Sequence, residues 1–137
     1  MPLVHAYVGP RFDRADALKR ACWQIVPAAY STEQGPQNPG SIFFLHHATT
    51  YADDMMGEDG LAIDVLLDIE AYDLPDRADT EGRAAAIRDA LAELFPGFKF
   101  AVFLKLVKAG YASDVPDPEF DGDRSMPAAI ARAREQI

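Results

Sequence analysis

The chain has 137 residues, a hydrophobic share of 49% and a formal net charge of −9. This length predicts one domain with a sizeable core, and the acidic balance makes nucleic acid or an anionic membrane an unfavourable partner. One cysteine excludes a disulfide and a cysteine-based zinc site, while the lack of a long apolar run or a charged leader predicts a soluble, cytoplasmic protein.

The first half of the chain predicts a strand, a helix and a second strand. Residues 3–8, LVHAYV, are typical of a short strand, and the proline before them is tolerated at a strand's first position. Asp13 is predicted to cap a helix, and Pro27 predicts a kink or an end of that helix near Val26. The segment SIFFLHHATTY, residues 41–51, predicts the second strand.

The second half repeats this order. In LAIDVLLDIEAY, residues 61–72, apolar residues alternate with mostly acidic ones, which indicates a strand with one buried face. A helix with an apolar stripe follows and is stopped by Pro96-Gly97. Residues 98–111 predict a fourth strand, and Ser125 with Pro127 indicates the start of a short C-terminal helix.

Two short motifs recur in the same order at nearly one offset. RADALKRA at Arg14 is echoed by RADTEGRAAA at Arg77, and TYADDM at Thr50 is echoed by GYASDV at Gly110. We infer a tandem βαβ repeat within a single domain, 1–137, with units at 2–55 and 61–115 followed by a C-terminal loop and helix at 116–137. The predicted fold is α+β, a four-stranded mixed sheet with two helices on one face. A ferredoxin-like fold has the same element order and stays open as an alternative.

The start of the chain resembles the tautomerase superfamily. The matching features are Pro2 followed by LVHAYV, Arg11 in the turn before the first helix, and the doubled βαβ unit. Members include 4-oxalocrotonate tautomerase, 5-carboxymethyl-2-hydroxymuconate isomerase and macrophage migration inhibitory factor. The resemblance spans residues 2–115 and implies a tautomerase (MIF-like) fold and a homotrimer. It further implies a cofactor-independent enzyme acting on a small 2-oxo or unsaturated carboxylic acid, with hydration, dehalogenation and decarboxylation as alternative reactions.

The resemblance also implies a role for particular residues. Removal of Met1 would make Pro2 a secondary amine, and desolvation would lower its pKa enough for general acid/base catalysis near pH 7. Arg11 and Arg77 are the implied carboxylate ligands, because a guanidinium binds a carboxylate bidentately. Tyr111 is the implied pocket tyrosine. Lys99 is a further candidate for binding the substrate anion.

Metal binding is not expected from the histidines. His46 and His47 are neighbours in a predicted strand and therefore point to opposite faces, while His5 is a third candidate without ligands at a recognisable spacing. We expect no metal and no other cofactor. A second interpretation is a non-enzymatic ferredoxin-like module that binds a small ligand or a protein partner, or a tautomerase homologue that leaves the proline unused.

The second and fourth strands are more apolar than two helices can cover. Exposing several Phe or Leu side chains is costly, since each buried one contributes roughly 1.5–3 kcal/mol. The sequence therefore predicts that the uncovered strand faces are buried between subunits of the homotrimer. The apolar residues that the two strands carry, from both faces, are Phe43, Phe44, Phe100, Val102, Phe103 and Leu104.

Overall fold

A computed structural model describes residues 1–49 and 63–137. Its elements in chain order are β1 (Leu3–Val8), α1 (Ala15–Tyr30), β2 (Phe43–Ala48), β3 (Val65–Tyr72), α2 (Thr80–Leu94), β4 (Phe100–Val107) and α3 (Met126–Gln136). The order confirms two βαβ units followed by a C-terminal helix. The TYADDM motif and the end of the predicted second strand lie largely outside the described residues.

The four strands form one mixed sheet in the order β2-β1-β3-β4. β1 and β2 are parallel, β3 and β4 are parallel, and β1 pairs antiparallel with β3. This confirms the α+β class and the four-stranded mixed sheet. In a ferredoxin-like fold another strand separates the two strands of each βαβ unit. Because β1 and β2 are direct neighbours here, the ferredoxin-like alternative is wrong.

The helices cover one face of this sheet. Val4, Ala6 and Val8 from β1 and the alternating residues of β3 are buried in one apolar cluster with α1 and α2, while α3 packs on α1. The other side of the sheet, which we call the open face, carries the alternate residues of all four strands. Leu45 and Phe103 on it are 44% and 64% exposed. The open face comprises Leu3, His5, Tyr7, Phe43, Leu45, His47, Leu66, Asp68, Glu70, Ala101, Phe103 and Lys105.

Of the two outcomes predicted at Pro27, a kink or an end of the first helix near Val26, the end is wrong. α1 continues through Pro27 to Tyr30. A proline inside a helix leaves the carbonyl four residues earlier without its donor. That carbonyl belongs to Trp23, and it accepts a hydrogen bond of 2.7 Å from the Gly40 backbone N–H, which lies in the loop before β2. A distant segment thus satisfies the group that Pro27 leaves free.

The predicted cap at Asp13 is also wrong. The residue at the start of α1 is Arg14, whose side chain makes no capping hydrogen bond. Its guanidinium instead lies 5.0 Å from the ring centre of Phe95, a cation–π contact with the residue that follows α2. The C-terminal helix is capped as predicted, because the Ser125 hydroxyl accepts a hydrogen bond from the Ala128 N–H.

Arg11 and Asp64 tie the two βαβ units together at one end of the sheet. Arg11 donates through Nε and one terminal nitrogen to the two carboxylate oxygens of Asp64, at 2.8 and 2.7 Å. Asp64 is 2% exposed and also accepts a hydrogen bond from the Lys99 backbone N–H at 2.7 Å. The bonds from Arg11, followed by that from Lys99, lower the pKa of Asp64.

Replacing Asp64 with Asn should lower the free energy of unfolding by roughly 1–3 kcal/mol at neutral pH, because a charge-assisted acceptor is lost. The folded-state pKa of Asp64 lies below its unfolded value. Its contribution is therefore complete above about pH 4 and is lost as the pH falls through the lower folded-state pKa. Urea denaturation of both proteins from pH 7 to pH 2 measures the difference between their free energies of unfolding. This difference should become smaller below about pH 4.

The matched control is Asp89→Asn, since Asp89 pairs with Arg88 but is 69% exposed. It should unfold like the wild type at every pH. The assigned role of Asp64 is contradicted if Asp64→Asn is as stable as the wild type at pH 7. It is also contradicted if the difference in the free energy of unfolding between these two proteins increases in acid.

Candidate functional site

The strand directions bring the start of the chain to a defined place. β1 and β2 begin at the edge of the sheet where β3 and β4 end, and Leu3 is paired with Phe43 on one side and Glu70 on the other. The Pro2 carbonyl accepts a hydrogen bond of 2.9 Å from the Phe43 N–H. Pro2 is therefore a buried, fixed residue at what we call the N-terminal edge.

A pocket of about 200 Å³ opens at this edge. Most of its walls are apolar or aromatic, and Glu70 adds one carboxylate. An apolar pocket with a few polar groups is the usual form of a small-molecule site. We call it the N-terminal pocket. Its walls include Met1, Leu3, Phe43, Tyr72, Val107 and Tyr111.

Met1 is itself part of this pocket. The Tyr111 hydroxyl lies 3.9 Å from the Met1 sulfur, and the Tyr111 ring centre is 6.1 Å from that of Phe43. Tyr111, the predicted pocket tyrosine, thus lies at the same edge as Pro2. Met1, which is bonded to the Pro2 nitrogen, lines the pocket, whereas Pro2 itself is not among the described lining residues.

The electrostatic environment of the N-terminal edge is that of a desolvated amine. Burial lowers the pKa of the Met1 α-amino group below its usual value. The Asp117 carboxylate opposes this shift, and the positive charge of Arg77 adds to it. An amine at this position is therefore more often neutral than one at an exposed chain end.

Arg77 lies near the N-terminal edge, but its donors are already engaged. Its guanidinium donates to the backbone carbonyls of Tyr30, Tyr72 and Gly35 at 3.0, 2.7 and 3.2 Å. It is buried, and desolvation lowers its pKa. Arg77 thus connects the end of α1, the following loop and the end of β3. Because Nε and both terminal nitrogens donate to these carbonyls, the guanidinium is not available to bind a substrate carboxylate bidentately.

Arg11 and Lys99 lie at the opposite edge of the sheet. β1 has six residues, which at about 3.3 Å per residue separates the two edges by roughly 20 Å. The structure therefore brings together three of the predicted site residues, Pro2, Tyr111 and Arg77. It places Arg11 and Lys99 together around Asp64, away from them.

The sequence did not point to several residues of the pocket. Met1, Phe43 and Glu70 line it because of strand register, which no local pattern reveals. Register also explains a contact on the open face, where His5 and His47 meet across β1 and β2. His46 and His47 lie on opposite faces, as predicted.

Two further properties limit the chemistry. In the ranges 1–49 and 63–137, no three His, Cys, Asp or Glu side chains form a group that could hold a metal ion. Within the same ranges, none of the helices has the length and apolar character needed to cross a bilayer. The residues that line the N-terminal pocket include Met1, which carries the α-amino group, Tyr111 with its hydroxyl and Glu70 with its carboxylate.

Comparison with known proteins adds no family assignment. The sequence matches no family model and none of the curated proteins with which it was compared. The N-terminal pocket is the feature that carries a functional proposal.

Proposed function

We propose that the chain is a cofactor-independent acid–base enzyme of the tautomerase type, in which Pro2 acts after Met1 has been removed. Its substrate is a small 2-oxo or unsaturated carboxylic acid. The observation that carries the proposal is the position of Met1, whose side chain lines an apolar pocket at the start of β1 beside the Tyr111 hydroxyl. Loss of Met1 would expose the prolyl nitrogen to that space.

The chemistry of the proposed reaction depends on this change. While Met1 is attached, the Pro2 nitrogen is a tertiary amide and has no basicity. Once freed, it is a secondary amine, and the desolvation that lowers the pKa of the Met1 amine would favour its neutral form. The neutral amine takes a proton from the carbon next to the substrate carbonyl and returns it to the far end of the enolate.

The surrounding side chains support the same step. In the proposed reaction the Tyr111 hydroxyl donates a hydrogen bond to the oxygen on which negative charge develops, and its contact with Met1 supports this role. The walls formed by Leu3, Phe43 and Val107 suit an aryl or alkyl group on the substrate. The substrate carboxylate needs a cation, and within one chain Arg77 is engaged by backbone carbonyls while Arg11 lies at the other edge.

We therefore include a homotrimer of the tautomerase type in the proposal. The strand order β2-β1-β3-β4 and the uncovered open face, with Phe103 64% exposed, support it. Three open faces would surround a common axis, and Arg11 of one subunit, which is 61% exposed, would lie near the pocket of the next. The other terminal nitrogen of Arg11 would then bind the substrate carboxylate, while Nε and the first terminal nitrogen stay bonded to Asp64.

Static light scattering at micromolar concentration tests the assembly. We expect a mass near that of three chains, each of 15.0 kDa. A single-chain mass would contradict both the trimer and the contribution of Arg11 to a neighbour's pocket.

The catalytic role of Pro2 is tested with the mature protein and phenylenolpyruvate, an aryl-substituted enol acid, with 2-hydroxymuconate as a second substrate. Pro2→Ala should lower kcat/KM by roughly 10²-fold, because the positioned secondary amine is lost. Ultraviolet absorbance of the enol and keto forms gives the rate.

Pro10→Ala is the control, since Pro10 is an exposed turn proline in the same chain. It should turn over both substrates at the wild-type rate. Equal turnover by the wild type and Pro2→Ala would contradict the role of Pro2. Failure of the wild type to turn over either compound would favour the other interpretation, a non-enzymatic binding module.

A further inference from the structure

Two histidines from neighbouring strands are paired on the open face. Nδ1 of His5 and Nε2 of His47 are 2.9 Å apart, a hydrogen-bond distance. Both side chains are half-buried, and both belong to strands rather than to loops, His5 to the inner strand β1 and His47 to the edge strand β2. The pair lies outside the N-terminal pocket and has no part in the proposed reaction.

The rings meet edge to edge. Their centroids are 5.1 Å apart while the facing nitrogens are 2.9 Å apart, so the nitrogens lie between the two ring centres. The Tyr7 ring lies against His47 at 4.7 Å between centroids with an angle of 16° between planes. Strand backbone and ring stacking therefore keep the two imidazoles close together.

We propose that His5 and His47 form a two-imidazole site for a divalent first-row transition metal, with Cu²⁺ bound most tightly. Neutral imidazole is the commonest protein ligand for such metals, and Cu²⁺ stands highest in the affinity order. Two bonds of ~2.0–2.1 Å at a right angle, as in the tetragonal sites that Cu²⁺ prefers, separate the nitrogens by about 2.9 Å. The two facing nitrogens of His5 and His47 are already 2.9 Å apart. Metal binding therefore requires the rings to rotate until both nitrogen lone pairs point at the ion.

The proton in the hydrogen bond between His5 and His47 stays on the protein when the metal binds, so the charge of the two rings does not change. In the pair, one of the two facing nitrogens carries the proton and the other accepts it. In the metal complex both facing nitrogens are ligands, so His5 carries its proton on Nε2 and His47 carries its proton on Nδ1. The donor ring changes tautomer, and no proton is released.

The surroundings permit a cation but do not complete its coordination. Asp68 is paired with His5 across β1 and β3, and its carboxylate lies 3.0 Å from the Lys105 ammonium. Among the described residues no third His, Cys, Asp or Glu completes a metal-binding group, which leaves water for the other positions. In the proposed trimer the pair would face the central axis.

Isothermal titration of the untagged protein with CuCl₂ tests the site. We expect one equivalent of Cu²⁺ to bind, and His5→Ala and His47→Ala each to weaken binding at least tenfold. His46→Ala is the matched control, because His46 lies on the opposite face of the same strand, and it should bind like the wild type. Loss of binding in His5→Ala alone would indicate another site, such as the N-terminal amine, and would overturn the proposal.

A second measurement uses only the wild-type protein and so does not depend on the folding of variants. Substoichiometric Cu²⁺ should broaden the NMR signals of the His5, His47 and Tyr7 rings and leave those of His46 sharp. Absence of binding, equal binding by all four proteins, or equal broadening at the three histidines would each contradict the two-imidazole site.

Discussion

The antiparallel pairing of β1 with β3 is the constraint on which the rest of the structure depends. It joins the two βαβ units into one sheet, in a register that runs from Leu3 opposite Glu70 to Val8 opposite Val65. This pairing places the start of the chain beside the ends of β3 and β4, where the N-terminal pocket forms. It also places Arg11 beside Asp64 at the other edge, so the same register creates the pocket and the ion pair.

Local sequence patterns predicted the helices and strands whose faces and ends depend on residues near them in the chain. The alternation in β3 predicted its buried face, and Pro96-Gly97 predicted the end of α2. The two errors in α1 arise from contacts with distant segments. Gly40 supplies the donor that compensates for Pro27, and Phe95 holds the Arg14 guanidinium at the start of the helix. Neither partner is visible from the helix sequence.

The site was predictable only in part for the same reason. The sequence identified Pro2 and Tyr111, which the structure brings to one edge, but it could not show that Arg11 lies at the other edge. The burial of Arg77 against three carbonyls depends on the loop after α1 and the end of β3. The pairing of His5 with His47 requires the parallel register of β1 and β2, which no spacing along the chain encodes.

The central proposal is that removal of Met1, which lines the N-terminal pocket, makes Pro2 an amine beside that pocket. Intact-mass spectrometry of the natively expressed protein tests it most directly. The account predicts a mass lower than that of the full chain by one methionine residue. A mass that includes Met1 would contradict it, because the Pro2 nitrogen would then remain an amide with no basicity.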